Sequence, residues 1–290
     1  MTISAKTLVA GVVGHPVRHS LSPLIHNAWL KAAGLDGAYI ALAPSPEGFA
    51  ALIEGCRGGA VCGLNVTLPF KEQLLGLAKA GRDQVSSRAV MAGAANLVVF
   101  EADGSLALDN TDGEGLLYAF ARQAPRLDLT SGPVVILGAG GAARGAAAAL
   151  VQAGVPQIRI LNRTLSRAED IASALGTRVQ AIEQDQAGAV WDQAIAVINA
   201  TSLGLGGGEG PRVEWQAVPT DSVFMDMVYK PLETQFLKTA RARGHLGVDG
   251  LDMLVGQAIP SFTALFDQAP PNDIDVRALA LAALAKEARS

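Results

Sequence analysis

The chain has 290 residues, a length that predicts about two domains. Half of the residues are hydrophobic and 17% are charged, which supplies enough apolar side chains for sizeable cores and argues against disorder. The net charge of -4 gives no indication of binding to nucleic acid or to an anionic membrane, and no run of about 18 uncharged apolar residues predicts a membrane span. The first residues lack a signal-peptide pattern, so we expect a cytoplasmic protein whose Cys56 and Cys62 are reduced.

The first hundred residues alternate between strand and helix patterns. The hydrophobic spacing predicts a strand at Leu8–Gly14, a helix at Ser22–Ala33, a strand at Tyr39–Ala43, a helix at Phe49–Cys56 and a strand at Gly63–Thr67. Ser22 is predicted to be the N-cap of the first helix, with Pro23 at the first helical position. A hairpin follows, with Asp103-Gly104 as the turn between strands Leu97–Phe100 and Leu106–Leu108.

The middle of the chain predicts a parallel sheet with helices on both faces. Its predicted strands are Val134–Leu137, Ile158–Leu161, Thr177–Ala181, Ala196–Ala200 and Val223–Met227, and its predicted helices are Gly141–Ala153 and Leu165–Leu175. A mobile loop is expected at Gly206–Gly210. The last forty residues contain two helical patterns, Leu251–Leu265 and Val276–Ala288, with no strands, so they must pack on an earlier part of the chain.

A glycine-rich turn lies between the first strand and the first helix of this middle part. Its residues are Gly138, Ala139, Gly140, Gly141, Ala142 and Ala143, which match the G-x-G-x-x-A dinucleotide fingerprint. The first glycine permits the tight turn, the second lets backbone N–H groups approach a pyrophosphate, and the small third position lets helix and sheet pack closely. The flanking strand and helix favour cofactor binding over a purely structural turn.

The residues after the next strand indicate which dinucleotide is bound. An NAD site usually has a carboxylate there for the ribose 2′-hydroxyl, but this chain has Asn162, Arg163 and Thr164, with Arg167 close behind. Two guanidinium groups and a hydroxyl suit a 2′-phosphate, so the pattern predicts NADP. The alternative is a helix start capped by Thr164, with two solvated arginines.

Polar residues in the first half suggest a small-molecule site. Ser20 and Ser22 could bind a carboxylate, although Ser22 could also be a simple helix cap. Asn65 and Thr67 give one strand a polar face, and Lys71 follows a Pro-Phe pair that would fix its position. Lys71 and the polar cluster Asp109–Gly113 together offer an acid–base pair. A metal site at His15 and His19 is not expected, because Pro16 separates them and no third ligand is near.

In these motifs the chain resembles the shikimate dehydrogenase family over nearly its whole length. The matching segments are Ser20–Pro23, Asn65–Thr67, Pro69–Lys71, Gly93–Asn96, Asn110–Gly113, the glycine-rich turn, Asn162–Thr164, Asn199–Ser202, Asp226–Tyr229 and Met253–Ala258. One such motif would be weak evidence, whereas this many in the family's order is specific. Two departures occur: Leu97 replaces the family's threonine after Asn96, and His15 replaces a small polar residue before Pro16.

The resemblance implies a role for each matching position. Lys71 and Asp109 would form the catalytic pair. The substrate would be held by Ser20, Ser22, Asn65, Thr67, Lys71, Asn96, Asp109 and Gln257. The pyrophosphate would lie on Gly138–Ala143 and the 2′-phosphate on Asn162, Arg163, Thr164 and Arg167. The rest of the cofactor would lie along Thr201, Met225, Tyr229, Gly250 and Met253. The resemblance implies no metal.

The resemblance also implies the architecture, an α/β fold of two domains. An NADP-binding Rossmann-type parallel sheet would occupy residues 109–249, and a discontinuous α/β substrate domain would comprise residues 1–108 and 250–290, completed by the C-terminal helices. The implied activity is the reversible, NADPH-dependent reduction of 3-dehydroshikimate to shikimate, on the route to chorismate and the aromatic amino acids. The protein would be a monomer or a homodimer.

Three alternatives are weighed against this activity. A quinate/shikimate dehydrogenase with a broader substrate range or NAD use is disfavoured by the two serines and by the Arg163/Arg167 pair. A non-catalytic ligand sensor on the same fold predicts the loss of Lys71 or Asp109, and both are present. A methylene-tetrahydrofolate dehydrogenase should lack the Ser20/Ser22 and Gln257 set.

Overall fold

The computed structural model describes residues 3–183 and 187–287 and divides into two compact units. The front unit is formed by the described parts of Met1–Thr111 and Gln257–Ser290, and the middle unit by those of Asp112–Gly256. The resemblance implied domain boundaries after residues 108 and 249, which are three and seven residues before the observed boundaries. Asp109–Thr111 therefore belong to the front unit. The predicted helix end at Ala288 lies outside the described residues.

The front unit contains a mixed sheet of six strands in the order β2-β1-β3-β5-β6-β4. The strands are β1 (Leu8–Val13), β2 (Gly37–Leu42), β3 (Gly63–Val66), β4 (Gln84–Val85), β5 (Leu97–Phe100) and β6 (Leu106–Asp109). β1 runs parallel to β2 and β3, whereas β5 is antiparallel to β3 and β6. The hairpin prediction is confirmed, and Gly104 has a φ of 82° at its turn.

Helices cover this sheet and bury its apolar side chains. They are α1 (Ser22–Ala32), α2 (Phe49–Gly55), α3 (Lys71–Gly76), α4 (Ser87–Ala92) and, near the end of the described chain, α11 (Val276–Glu287). In the core the rings of Phe49 and Phe70 stack with centroids 4.3 Å apart, between the fully buried Ile53, Leu64 and Leu74. α11 packs on α1, which confirms that a C-terminal helix completes the front part of the fold.

The middle unit contains a fully parallel sheet in the order β12-β11-β10-β7-β8-β9. The strands are β7 (Val134–Leu137), β8 (Ile158–Leu161), β9 (Val179–Ile182), β10 (Ala196–Asn199), β11 (Val223–Asp226) and β12 (Gly247–Val248). Within this sheet the chain enters at the central strand β7 and continues through β8 to the edge strand β9. It then returns to β10, on the other side of β7, and ends at the opposite edge. This is the Rossmann order, so the predicted parallel sheet is confirmed.

The first helix of the middle unit precedes β7, and the others follow its strands. They are α5 (Asp112–Gln123), α6 (Gly141–Gln152), α7 (Leu165–Leu175), α8 (Ala187–Val190), α9 (Gln235–Ala242) and the first residues of α10 (Leu251–Phe266). The aromatic rings of Trp215, Phe224 and Phe236 pack together on one face of the sheet. Part of the predicted loop at Gly206–Gly210 forms a short 3-10 turn. Within the described residues, no helix has the length and hydropathy needed to cross a membrane.

One buried ion pair ties together three segments of the front unit. The Arg57 guanidinium donates to both carboxylate oxygens of Asp83, at 2.8 and 2.9 Å, and to the carbonyl of Gly104 in the hairpin turn, at 2.9 Å. Asp83 also accepts the N–H groups of Lys79 and Leu106. The Asp83 side chain has no exposed surface, and the exposed fraction of Arg57 is 7%.

Replacing Asp83 with Asn should lower the free energy of unfolding by about 3 kcal/mol, because breaking a buried ion pair leaves the other charge uncompensated. The matched control is Glu54→Gln, which removes a 40% exposed carboxylate from the same guanidinium. An exposed pair of this kind contributes less than about 1 kcal/mol. Urea denaturation followed by circular dichroism measures both variants, and equal losses would contradict the prediction.

The same comparison has a pH dependence. The Arg57 hydrogen bonds hold the pKa of Asp83 well below its usual range. A carboxyl whose pKa is lowered by folding stabilises the protein fully above its unfolded-state pKa, near 4, and loses that contribution as the pH falls towards the folded-state pKa. The difference in stability between wild type and Asp83→Asn should therefore narrow below about pH 4.

Candidate functional site

At the carboxyl ends of β1 and β3, the chain that leads from β1 towards Ser20 and Ser22 lies beside Thr67. The Thr67 N–H donates to the Val13 carbonyl at 2.8 Å, and the His15 N–H donates to the Leu68 carbonyl at 3.1 Å. A Cβ on Gly14 would lie 2.4 Å from Thr67 Cγ2, so this crossing requires glycine. His15 contributes its backbone N–H to this crossing, a group that every residue except proline supplies.

Ser20 and Ser22 lie at the start of α1, but Ser22 does not cap it. The N-cap is Leu21, no side chain caps the helix, and the Ser22 N–H donates to Ser20 Oγ at 3.2 Å. The prediction that Ser22 is the N-cap is therefore wrong by one residue. Because the helix does not use the Ser22 hydroxyl as a cap, that hydroxyl stays a candidate ligand group.

A buried network of amides and hydroxyls joins four segments of the front unit. Asn65 at the end of β3 donates through Nδ2 to Ser261 Oγ on α10, at 2.9 Å, and to the Asn96 carbonyl, at 3.3 Å. Asn96 Nδ2 donates to Thr111 Oγ1 at 3.0 Å, and Asn96 Oδ1 accepts the Thr111 N–H at 2.8 Å. Thr111 Oγ1 lies 3.2 Å from Ser261 Oγ, which closes the network.

Counting protons fixes the directions of the amide hydrogen bonds in this network. The Ser261 hydroxyl donates its single proton to the Gln257 carbonyl at 2.9 Å, and the Thr111 hydroxyl lies within reach of two acceptors, Asn96 Oδ1 at 3.3 Å and Ser261 Oγ at 3.2 Å. Both N–H groups of the Asn65 amide are used within the protein. Asn65 can therefore offer a ligand only an acceptor oxygen, which suits a hydroxyl donor.

Tyr39 fixes the other side of the Asn65 amide. Its hydroxyl donates to Asn65 Oδ1 at 2.8 Å, and its ring stacks on His26 with centroids 4.0 Å apart. Burial raises the pKa of Tyr39 and lowers that of His26 to about 3, so both rings are neutral. No hydrogen-bond partner of the His26 ring nitrogens is found in the described part of the chain.

Lys71 is the first residue of α3, and its backbone is held firmly. The preceding Phe70 is fully buried in its stack with Phe49, and the Lys71 carbonyl accepts the Ala95 N–H at 3.0 Å. This agrees with the expectation that a Pro-Phe pair fixes the start of the helix. The Lys71 side chain is half-buried.

The carboxylate of Asp109, which was predicted to be catalytic, is held by neighbouring groups of the front unit. Its carboxylate forms an ion pair with Arg88, accepts the Ser86 hydroxyl at 2.5 Å and accepts the Asn110 N–H at 2.7 Å. Burial opposes ionisation, but the hydrogen bonds from Arg88 and Ser86 outweigh it and lower the pKa of Asp109. Because donors from α4 and the β6 end hold both oxygens, Asp109 joins α4 to the sheet. We correct its assignment to the catalytic pair and the substrate site on this ground.

Asp112 is the acidic residue that the sequence reasoning passed over. It is half-buried, it opens α5, and it follows Thr111, which lies in the buried network. The signal was available, since Asp112 lies inside the matching segment Asn110–Gly113, whereas Asp109 precedes it. Gln257, predicted from the same resemblance, begins the part of α10 that belongs to the front unit.

In the middle unit, the glycine-rich turn follows β7 and opens α6. Gly138 has a φ of 107°, and a Cβ there would lie 2.8 Å from Thr201 Cγ2, so both backbone and packing require glycine. Gly140 is the N-cap, without a side-chain cap, and no atom lies within 4 Å of where its Cβ would stand. The N–H groups of the first turn of α6 therefore have no side-chain cap at Gly140, as an anion site requires.

The residues predicted for the 2′-phosphate lie between β8 and α7. Asn162 Nδ2 donates to the Thr164 carbonyl at 2.8 Å, and this bond closes the turn. Thr164 is the N-cap of α7, but its side chain makes no capping bond. Arg163 and Arg167 are exposed. The helix therefore does not use the Thr164 hydroxyl as a cap, whereas the exposure of both arginines fits the phosphate site and the helix-capping alternative equally.

The remaining cofactor predictions fall at the carboxyl edge of the same sheet. Thr201 follows β10, and Tyr229 follows β11. A Cβ on Gly250 would lie 2.6 Å from the Met227 carbonyl, and Met253 lies half-buried on α10. Met225 differs, because it lies within β11 with no exposed surface, which argues against the prediction that it contacts the cofactor.

Comparisons with known proteins match the front and the middle of the chain to two different family models. The family model described as the shikimate dehydrogenase substrate binding domain matches residues 12–98, and the model described as shikimate / quinate 5-dehydrogenase matches residues 120–205. The shikimate dehydrogenase (NADP(+)) of Caulobacter vibrioides is 56% identical over 279 residues, which cover 96% of each chain.

Solved structures resemble the chain over similar lengths. Shikimate 5-dehydrogenase from Thermus thermophilus, in complex with NADP(H) and shikimate, has a TM-score of 0.80 at 35% identity and covers 91% of this chain and 95% of its own. Quinate dehydrogenase from Corynebacterium glutamicum, in complex with NAD, has a TM-score of 0.82 at 29% identity with the same coverage. With a relative this similar along nearly its whole length, the chain belongs to the shikimate dehydrogenase family.

Proposed function

We propose that the protein is an NADP-dependent shikimate dehydrogenase, which reversibly reduces the carbonyl of 3-dehydroshikimate to the hydroxyl of shikimate. The observation that carries this proposal is the buried network of Asn65, Asn96, Thr111 and Ser261, in which the hydrogen bonds of both asparagine amides have fixed directions. A small ligand rich in hydroxyl groups is what such fixed donors and acceptors recognise. The curated relative described above is named for the same activity and cofactor.

The substrate groups divide among the residues of the front unit. Ser20, Ser22 and Thr67 would bind the carboxylate and neighbouring hydroxyls. Asn65, Asn96 and Gln257 would bind the ring hydroxyls. Asn65 would accept a hydrogen bond from a ring hydroxyl of the substrate, because both of its N–H groups already donate within the protein.

The chemical step needs a proton at the carbonyl oxygen. Lys71 would donate it, and its ammonium group would stabilise negative charge developing on that oxygen. Asp112 would orient the reacting hydroxyl and the lysine, in the role that the sequence assigned to Asp109. In the oxidation of shikimate the same groups act in reverse, and Lys71 receives the proton.

The cofactor-binding residues of the middle unit fit NADP. Gly138–Ala143 would hold the pyrophosphate at the start of α6, where Gly140 leaves open space and no side chain caps the helix. Arg163, Arg167, Asn162 and Thr164 would hold the 2′-phosphate, and Thr201, Tyr229, Gly250 and Met253 would line the rest. When bound, NADPH supplies the hydride.

The direct test is the oxidation of shikimate by the purified protein with NADP+, followed at 340 nm. Four combinations of shikimate or quinate with NADP+ or NAD+ separate the proposal from the broader quinate/shikimate activity. We expect the highest kcat/KM with shikimate and NADP+. Binding of both ligands without turnover would instead support a ligand sensor.

Replacing Lys71 with Ala should reduce kcat at least about 100-fold with a smaller change in KM, because general acid catalysis contributes on this scale. Glu72→Ala is the matched control, since Glu72 is the next residue of the same short helix and is exposed. Steady-state kinetics with shikimate measures both. A Lys71→Ala enzyme with near-normal kcat would rule out the proposed role.

Asp112→Asn and Asp109→Asn should separate catalysis from structure. Asp112→Asn should reduce kcat about 100-fold while the melting temperature changes little. Asp109→Asn should weaken the contact of α4 with β6, lowering the melting temperature, and should reduce kcat less than tenfold. Kinetics and thermal denaturation of both variants give the answer, and the reverse assignment would restore Asp109 to the catalytic pair.

The double variant Arg163→Ala/Arg167→Ala should lower the preference for NADP+ over NAD+, as kcat/KM, by about 100-fold, because each charge-assisted bond to phosphate is worth roughly 1.5–3 kcal/mol. The KM for NAD+ should hardly change, since NAD+ has no 2′-phosphate. Arg126→Ala, an exposed arginine elsewhere in the middle unit, is the control. A parallel rise in KM for both cofactors would argue against 2′-phosphate recognition.

We further propose that the enzyme acts in the cytoplasm, as a monomer or a homodimer. The support for this location is the composition of the chain. Sedimentation velocity at micromolar concentration distinguishes the two assembly states.

A further inference from the structure

Asp226 is a buried acid at the carboxyl edge of the middle unit's sheet. It ends β11, has no exposed surface, and lies in register with Asn199 at the end of the neighbouring strand β10. β10 also pairs with β7, where Asn199 is in register with Leu137, the residue before Gly138. Asp226 is therefore two strands away from the glycine-rich turn.

The Asp226 carboxylate collects three hydrogen bonds, all from uncharged groups. Oδ1 accepts from Asn199 Nδ2 and from the Val228 N–H, both at 3.0 Å, and Oδ2 accepts from the Thr234 hydroxyl at 2.6 Å. Burial raises the pKa of Asp226, and these bonds oppose the rise. A buried acid without a described cation partner is costly, so its place here calls for an explanation.

The Asn199 amide links Asp226 to Thr201 through hydrogen bonds. Asn199 Oδ1 accepts from the Thr201 N–H at 3.0 Å and from the Thr201 hydroxyl at 2.7 Å. Asn199 Nδ2 also donates to the Leu203 carbonyl at 3.1 Å, and the Leu203 N–H donates to Thr201 Oγ1 at 3.1 Å. These bonds leave the loop after β10 one conformation, in which the methyl group of Thr201 points at Gly138.

Thr201 in turn packs on the glycine-rich turn. Its Cγ2 lies 2.8 Å from the position a Cβ on Gly138 would take, and the Ala200 carbonyl lies 3.3 Å from the same position. On its other side, Asp226 holds the Val228 N–H and so fixes the start of the segment that carries Tyr229. The backbone of Asp226 and Met227 also packs on Gly250, at 3.0 and 2.6 Å from the position of its Cβ.

From this geometry we infer that Asp226, acting through Asn199, is a positioning residue for the dinucleotide: it sets the Thr201 loop against Gly138 and aims the Tyr229 segment. The inference rests on the proposed NADP binding by this unit. Asp226 would touch neither ligand, because its oxygens are spent on Asn199, Val228 and Thr234. Losing it should weaken cofactor binding selectively and leave the front unit's substrate contacts intact.

The central test is Asp226→Leu, which keeps the branched shape in a larger side chain and removes both acceptor oxygens. We expect Kd for NADP+, measured by calorimetry on the full chain without substrate, to rise about tenfold, the equivalent of one lost charge-assisted hydrogen bond. KM for NADP+ should rise alike, while KM for shikimate at saturating NADP+ should stay within about twofold. Asp226→Asn keeps one acceptor oxygen for Asn199 and Val228, so it should recover most of the affinity.

Two further variants keep the test decisive. Ser222→Ala removes another buried hydrogen bond, from the Ser222 hydroxyl to the Ala194 carbonyl, at the opposite end of β11, and should lower the melting temperature without changing Kd for NADP+. Asn199→Ala breaks the relay at its centre and should reproduce the loss seen for Asp226→Leu. If Asp226→Leu does not fold, Asn199→Ala decides the outcome.

The possible failures are distinguishable. Folded Asp226→Leu or Asn199→Ala protein with wild-type Kd and KM for NADP+, changed only in stability, would overturn the positioning role and leave the proposed function standing. Equal rises in KM for NADP+ and shikimate would also overturn it, because the effect would not be confined to the cofactor. Wild-type protein that binds no NADP+ would overturn the proposed function and, with it, this inference.

Discussion

Buried amide side chains must find hydrogen-bond partners inside the protein, and this requirement shapes both units. In the front unit, the Asn65 amide is satisfied by Tyr39, Ser261 and the Asn96 carbonyl, which come from separate parts of the chain. In the middle unit, the Asn199 amide is satisfied by Asp226 and by its own loop. An amide left unpaired at such depth would cost about 1–3 kcal/mol, so each network holds its loops in one arrangement.

The same requirement gives the site its chemical selectivity. An asparagine side chain in water can turn to present either its N–H donors or its acceptor oxygen. An amide whose N–H groups already donate within the protein can only accept. Asn65 is in this state, so in the proposed site its oxygen would accept a hydroxyl proton. Pockets that hydrogen-bond a hydroxyl reject analogues without it far better than apolar pockets reject an extra methylene. In the proposed site this discrimination would originate in residues such as Tyr39 and Ser261, which hold the Asn65 amide.

Much of the fold could be predicted because its signals are local. β7, β8 and α7 have the bounds that their apolar spacing predicted, and the Gly104 turn lies where Asp103-Gly104 placed it. The signals that were missed were also partly local: Leu116, Ala119 and Phe120 are buried at helical spacing in α5. The two-residue strands β4 and β12 had no such signal, since only their pairing with distant strands creates them. The N-cap of α1 was missed because backbone, not the Ser22 side chain, forms it.

The site was harder to predict than the fold, and Asp109 explains why. Asp109 and Asp112 are both acidic residues in one polar cluster, and only the bounds of the matching segment Asn110–Gly113 distinguish them in the sequence. What separates them is Arg88, which approaches from α4 and forms an ion pair with Asp109. A carboxylate held by a guanidinium and a hydroxyl is stable in its charged form and is poorly placed to serve a second cation. Long-range contacts thus distinguish the two acids in the structure, whereas the sequence shows only that both are present.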